Sequence, residues 1–336
     1  MAPDTLHHHR HGTVPLHERL LRWRELGIVV MLVLTVAVVG AIAPRFLSWE
    51  SARIVLMAMP LLLVVAIGQT FVILARHVDL SVGSGLGLVA ILVGQLFIAL
   101  PGLPIVFGLL AAAGLGALLG LFNGLVVTLF RLPAIIVTLG TLSLFRGLTF
   151  IVSGGRQIDP NDVPEALIGL AQSRTGLPEI VIFAFLVALA GHLVLGHTRF
   201  GRQVYAIGSN PEAARLRGLP VARITLAVFM ICGALAGIAG MMYAARFGYV
   251  NPGITGVGFE LQVVAAVVIG GTSITGGTGT ALGTVLGVLL LAMISAALPI
   301  LGVSGFWQGA IYGGLIVLAL IVDRAVLSRG LAGGAR

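Results

Sequence analysis

Long apolar runs dominate this chain, and arginine, proline or glycine bounds most of them. Ten runs meet or approach the roughly 20 apolar residues that a membrane-crossing helix needs. They are 26–44, 53–75, 80–100, 104–130, 132–152, 179–197, 222–245, 259–275, 278–301 and 306–323. The pairs 80–100/104–130 and 259–275/278–301 are split only by short breaks. The pattern predicts an all-α fold, a polytopic transmembrane helix bundle of about ten spans, in which 26–325 is the membrane domain. Residues 1–25 and 326–336 read as polar tails, and 198–222 as the main polar loop.

Composition agrees. Of 336 residues 58% are apolar and 10% charged, where a soluble domain carries about 25% charged residues. Only lipid can serve as solvent for so much apolar surface. A net charge of +8 would suggest nucleic acid in a soluble protein. Here the placement of charge decides, and no nucleic acid is expected. All 20 basic residues are arginine. With the N-terminus in the cytoplasm and ten spans, fourteen of them fall inside: Arg10, Arg19, Arg22, Arg24, Arg76, Arg131, Arg199, Arg202, Arg215, Arg217, Arg223, Arg324, Arg329 and Arg336. Both termini are therefore expected to be cytoplasmic. The tail holding His7, His8, His9 and His11 lacks the apolar core of a signal peptide and reads as solvated. A single cysteine, Cys232, excludes a disulfide within the chain.

The chain has 47 glycines, and small residues let helices approach closely in lipid. Glycine-rich stretches at 81–87 and 270–283 begin or interrupt spans at similar places in the two halves, which suggests an internal repeat.

One loop carries more information than the spans. In HTRFGRQVYAIGSNPEAARLRGLPVARI (197–224), Ser209 or Asn210 can cap a helix and Pro211 suits its first turn. Glu212 fits both the dipole and a capping box with Ser209. Ala213, Ala214, Arg215, Leu216 and Arg217 favour helix, Gly218 suits a left-handed end, and Pro220 stops continuation. Two turns cannot stand alone. An alanine-rich face flanked by charge suits a groove on another protein, while its arginines would equally suit anionic headgroups.

The residues Glu212-Ala213-Ala214-x-x-x-Gly218 resemble the EAA loop of ABC importer permeases. Nearly the whole chain, 30–325, is similar to their ribose-type sugar branch, through GQTFVILARHVDLSVGS (68–84), LFNGLVVTLFRLPAIIVTLGTLSLFRG (121–147) and GFELQVVAAVVIGGTSITGGTGTALG (258–283). Within that branch ALPILGVSGFWQGAI (297–311) looks closest to permeases of rhamnose and autoinducer-2 systems. The resemblance implies a multi-pass subunit of the bacterial inner membrane that imports a sugar. It further implies an ABC ATPase docked on Glu212–Gly218, a second permease copy or homologue, and a periplasmic sugar-binding protein.

Other chemistry is scarce. Gly271-x-x-x-x-Gly276-Gly277-Thr278 is nearly a P-loop, but Gly277 stands where the lysine belongs and the chain has no lysine. ATP hydrolysis is expected in a separate subunit. No catalytic residue, metal site or cofactor is assigned to this chain. Asp79, two residues before Ser81, reads as the N-cap of the third span rather than an ion site. Gln69, Asn123, Thr138, Thr141 and Gln308 are polar residues inside spans. They are candidates to line a pathway for a neutral hydroxylated solute, or to bond helix to helix. Three rivals remain, a branched-chain amino-acid permease of the same superfamily, an ion-coupled carrier, and a membrane scaffold or receptor that transports nothing. The first needs groups for a zwitterion, and the second needs acids deep in the spans.

Overall fold

The computed structural model describes residues 16–172, 176–315, 317, 318 and 321. The histidine stretch at 7–11, Arg174 and the tail 326–336 lie outside them. Among the described residues the chain is helical, with one isolated antiparallel bridge between Ile158 and Val250. In order come α1 (Leu16–Ile42), α2 (Trp49–Leu74), α3 (Val82–Ala99), α4 (Ile105–Leu129), α5 (Ala134–Ser153), the short α6 (Glu165–Gly169) and α7 (Glu179–His197). They are followed by α8 (Arg199–Ser209), α9 (Pro211–Leu216), α10 (Val221–Phe247), α11 (Phe259–Ile269) and α12 (Ala281–Ile300). A further helical segment covers 307–315.

Among the described residues seven helices are long and apolar enough to cross a membrane: α2, α3, α4, α5, α7, α10 and α12. The protein is a multi-pass helix bundle. Three of the ten expected runs take a different form. The apolar part of α1 is Leu26–Ile42, although the helix itself starts at Leu16, inside the stretch read as a polar tail. The expected 259–275 run becomes an eleven-residue helix, α11. It stops at Gly270, where a Cβ would strike the Gly283 carbonyl of α12. Of the 306–323 run, only part is described.

Every span is apolar all round, so the hydrophobic pattern does not say which face is inside. Small residues do. In α2, 78% of the most apolar stretch is buried, against 22% in α4. The α4 residues that are buried are chiefly its small ones: Gly108, Ala112, Gly116, Gly120, Asn123, Gly124 and Val127. Phe107, Leu110 and Leu118 are exposed to the surroundings, as lipid-facing side chains should be. Gly116, Gly120 and Gly124 recur every fourth residue and face α10, where Gly233 and Gly237 lie against the first two of them. A Cβ on Gly116 would collide with the Gly233 carbonyl, and one on Gly233 with the Gly116 carbonyl. Two backbones are thus in direct contact, where lipid supplies no hydrophobic drive and dispersion must hold the helices.

Polar bonds join the remaining elements. Thr70 and Thr284 hydroxyls meet at 2.8 Å between α2 and α12. Arg146, inside α5, donates to the Thr255 carbonyl at 2.8 Å. Gln95 of α3 donates to the Val152 carbonyl at the end of α5. At that same end α6 covers a smaller core of Phe97, Val163, Leu167, Met241 and Ala244.

A leucine at Gly233 should lower stability by about 3 kcal/mol or more, the upper range for overpacking. Gly196 of α7 has nothing within 4 Å of an added methyl, and leucine there should be neutral. Thermal unfolding of both variants in detergent checks the contrast, and equal melting temperatures would refute the backbone contact.

Candidate functional site

Helices α8 and α9 form a bracket at one end of the bundle. Asn210 caps α9, its Oδ1 accepting from the N–H groups of Glu212 and Ala213 at 3.1 and 3.0 Å. Ser209, the other candidate, ends α8 instead. Pro211 takes the first position. At the far end Gly218 N–H donates to Arg215 and Leu219 N–H to Ala214, with Gly218 at φ +79°. This pair of bonds is the Schellman closure, and its left-handed residue favours glycine.

The two alanines do not form an outward face. Ala214 is 4% exposed and packs on the bundle, whereas Leu216 is 90% exposed, beside exposed Glu212, Arg215 and Arg217. The outward surface is therefore one isolated leucine ringed by charges. The alanines allow α9 to sit close to the protein that carries it.

That attachment is backbone on backbone. Gly208, at the end of α8, has no room for a Cβ because the Leu74 carbonyl and the Gly277 N–H occupy the space. Gly277 N–H itself donates to the Leu74 carbonyl at 3.0 Å. Tyr205 of α8 donates its hydroxyl to the Gly279 carbonyl at 2.8 Å. The glycine-rich turn joining α11 to α12, the last turn of α2 and the α8–α9 bracket thus meet at one point. The residues of the near-P-loop serve this junction.

The turn from α2 to α3 carries a buried polar cluster. Asp79 Oδ1 accepts from the N–H and hydroxyl of Ser81 at 2.9 and 2.7 Å, and Asn123 Nδ2 donates to Ser81 Oγ at 2.8 Å. Asp79 is not the N-cap expected from sequence. Helix α3 starts at Val82, Ser81 already has helical φ and ψ, and no side chain caps it. From two residues outside, the carboxylate closes the approach to the helix, not its first turn. Thr138 donates to the Val78 carbonyl of the same turn at 3.2 Å, and Thr141 to Thr138 within α5. Asn123 and Thr138 are therefore drawn together around this turn. Gln69 is fully buried, its Oε1 accepting a contact from Cys232 at 3.4 Å while its Nε2 has no partner among the described residues, and Gln308 donates to Ser295 at 3.2 Å. Among the described residues no group of three potential ligands could hold a metal.

A cavity of about 210 Å³ lies towards the other end. Tyr243, Arg246, Phe247, Phe259, Gln262, Ser295 and Tyr312 are among its lining. Tyr243 and Phe247 rings stand 4.5 Å apart, and the Arg246 guanidinium lies 4.9 Å over Phe247. Flat apolar faces, hydroxyls, one amide and a guanidinium can grip a small polar solute without a fixed negative charge. Sequence reasoning missed this set because its members lie on α10, α11, α12 and the 307–315 segment. An Arg-Phe pair at a helix end also looks like interfacial anchoring.

Comparison with known proteins adds to this picture. The family described as branched-chain amino acid transport system, permease component, matches residues 51–320. The chain is 37% identical over 305 residues to the autoinducer 2 import system permease protein of Enterobacter sp. (strain 638), covering 90% of this chain and 88% of that one. Identity to the protein of the same name from Salmonella typhi is 35% over 312 residues, covering 92% and 88%. For Klebsiella pneumoniae subsp. pneumoniae it is 38% over 314 residues, covering 93% and 90%. No solved structure matches.

His77, in the turn after α2, packs 5.8 Å from the Phe229 ring, and burial pushes its pKa down to about 4. The folded protein thus holds the neutral imidazole, while the unfolded chain protonates near 6.5. The associated stability is complete above pH 6.5 and is lost as pH falls towards 4, by roughly 2–3 kcal/mol. His77→Gln should remove that share of the acid loss. Melting temperatures of both proteins at about pH 7.5 and pH 4.5, on either side of that window, check this, and equal drops would refute it.

Proposed function

This chain belongs to the branched-chain amino acid transport system permease family, among the ribose-type ABC importer permeases, and from that premise we propose that it is the membrane subunit of an ATP-driven importer of autoinducer 2 or a similar sugar. The observation that carries the coupling part is α9, a helix capped at both ends, anchored by buried Ala214 and presenting Leu216 to an absent surface. An exposed leucine in a ring of charge has the make-up of a protein contact, with an apolar centre and a polar rim. Lipid headgroups, the other resting place for such a helix, need no cap geometry this specific.

In this reading α9 faces the cytoplasm with both termini, and an ATPase subunit receives Glu212, Arg215, Leu216 and Arg217. Closure of the ATPases moves α9. The Gly208–Leu74–Gly277 contact passes that motion to α2 and to the α11–α12 turn without a flexible side chain between. A second permease copy or homologue completes the pathway, and a periplasmic binding protein delivers the solute near the Tyr243–Tyr312 cavity. Asn123, Thr138, Gln69 and Gln308 then act mainly in bonding one element to another, each through a partner on a different segment, whereas Thr141 bonds only within α5. The family's name includes branched-chain amino acids, but no carboxylate lines the cavity to meet the ammonium of a zwitterion.

Leu216→Asp provides the test, because so exposed a side chain contributes little to the fold. In proteoliposomes with its ATPase and binding protein, the variant should lose ATP-driven uptake of autoinducer 2 about ten-fold, equivalent to about 1.4 kcal/mol of partner contact. Its melting temperature should match the parent's. Undiminished uptake would refute the docking role, and uptake that persists without ATP but follows an ion gradient would refute the importer.

A further inference from the structure

A second cavity, of about 520 Å³, opens beside α9 and is lined by Arg76, Arg131 and Arg215. These arginines come from three separate places: the end of α2, the end of α4 and α9. No aspartate or glutamate lines the cavity, and none of the three arginines makes an ion pair with a described residue. Thr128 and Thr225 add hydroxyls, and the first turns of α5 (Ala134, Ile135) and α10 (Val221, Ala222) end in its wall. Neither of those helices has a side-chain cap, since Pro133 and Pro220 stand at the capping positions. The positive dipole ends of both helices therefore lie beside this cavity.

The backbone at two of the arginines separates this arrangement from ordinary interfacial charge. Arg76 has φ +70° and Arg131 φ +54°. Among the described residues they alone, apart from glycine, adopt positive φ. Arg76 N–H donates to Ile73 and His77 N–H to Val72, so Arg76 fills the left-handed position that ends a helix and that glycine usually fills. Arg131 stands just beyond the end of α4 in the same conformation. An arginine needed only to balance a helix dipole, or to hold a loop on one side of a membrane, could lie one turn earlier without strain. At both helix ends the strained position places an arginine in the wall of one cavity.

We propose that this cavity is a binding site for a phosphate-class anion, held by Arg76, Arg131 and Arg215. Guanidinium forks match phosphate oxygens two at a time, and three unpaired cations suit a doubly charged group better than a single carboxylate. The anion is either a soluble phosphate or phosphorylated solute, or the phosphodiester of a phospholipid headgroup. Because Pro211 and Arg215 belong to both the cavity wall and α9, an occupied site would stiffen the docking helix against the ends of α2 and α4.

The test uses the full chain and measures binding, so it does not depend on the transport reading. Arg76→Gly with Arg131→Gly removes both guanidiniums while placing at each position the residue its backbone favours, so the variant should fold. Parent and variant are placed in phosphatidylcholine nanodiscs and melted against increasing inorganic phosphate, with chloride matching ionic strength. A parallel set contains one part in three phosphatidylglycerol and no phosphate. The parent should be stabilised by at least one of these probes, and the variant should need at least ten-fold more phosphate, or show no response to the anionic lipid. A response to phosphate identifies a soluble ligand, and a response confined to phosphatidylglycerol identifies a headgroup. The proposal is overturned if parent and variant respond alike or if the parent ignores both probes. Should the parent ignore both while the variant loses binding to the ATPase subunit, the arginines are a protein contact instead.

Discussion

The direct contact between the backbones of α4 and α10 sets the arrangement of the rest. Gly116 and Gly120 of one helix and Gly233 and Gly237 of the other leave no room for a methyl group. In lipid, apolar side chains gain little by leaving one hydrocarbon environment for another, so close packing and satisfied polar groups must hold the helices. Once α4 is seated on α10 through its small residues, its large ones (Phe107, Leu110, Leu118) can only point away. The contact also brings Asn123, one residue before Gly124 on the same helix, to the turn between α2 and α3, where Ser81 receives its amide. A packing rule at one helix pair therefore positions a polar cluster at another.

The same device recurs where α8 meets the bundle, with a different consequence. Gly208 lies on the Leu74 carbonyl and the Gly277 N–H, joining three chain segments that are far apart in sequence. Side chains at such a junction would absorb a displacement by changing rotamer, whereas backbone in contact with backbone shifts as a unit. This is the physical content of the proposal that α9 drives the membrane helices. The junction is built into the permease itself.

Which of these features the sequence reveals follows from whether they are local. Apolar runs are local, and among the described residues each of the ten expected positions holds helix, although only seven of those helices are long and apolar enough to cross a membrane. The capped helix at 211–216 is local too, down to Pro211 and Gly218, although the choice between Ser209 and Asn210 needed the end of α8. The orientation of α9 is not local. Ala213 and Ala214 look like a face for a partner until the bundle beneath them is seen to bury Ala214, leaving Leu216 outside. Asp79 fails as a cap for a similar reason. Spacing placed it near a helix start, but Ser81 had already turned helical. The Tyr243–Tyr312 cavity was illegible because no one stretch of chain contains it.

A chain whose only strong bases are arginines makes sense in this setting. An ammonium is compact and strongly hydrated, whereas a guanidinium tolerates carbonyls and ring faces in place of water. Arg146 is satisfied by the Thr255 carbonyl within the span region, and Arg246 lies over Phe247 at the mouth of a cavity. The acids that could pair with them are few. Arg76 and Arg131 differ in having no such partner among the described residues and in occupying strained backbone. Where the arginines within the bundle have found a carbonyl or a ring, two strained cations in the wall of an acid-free cavity mark a place whose partner comes from outside the chain.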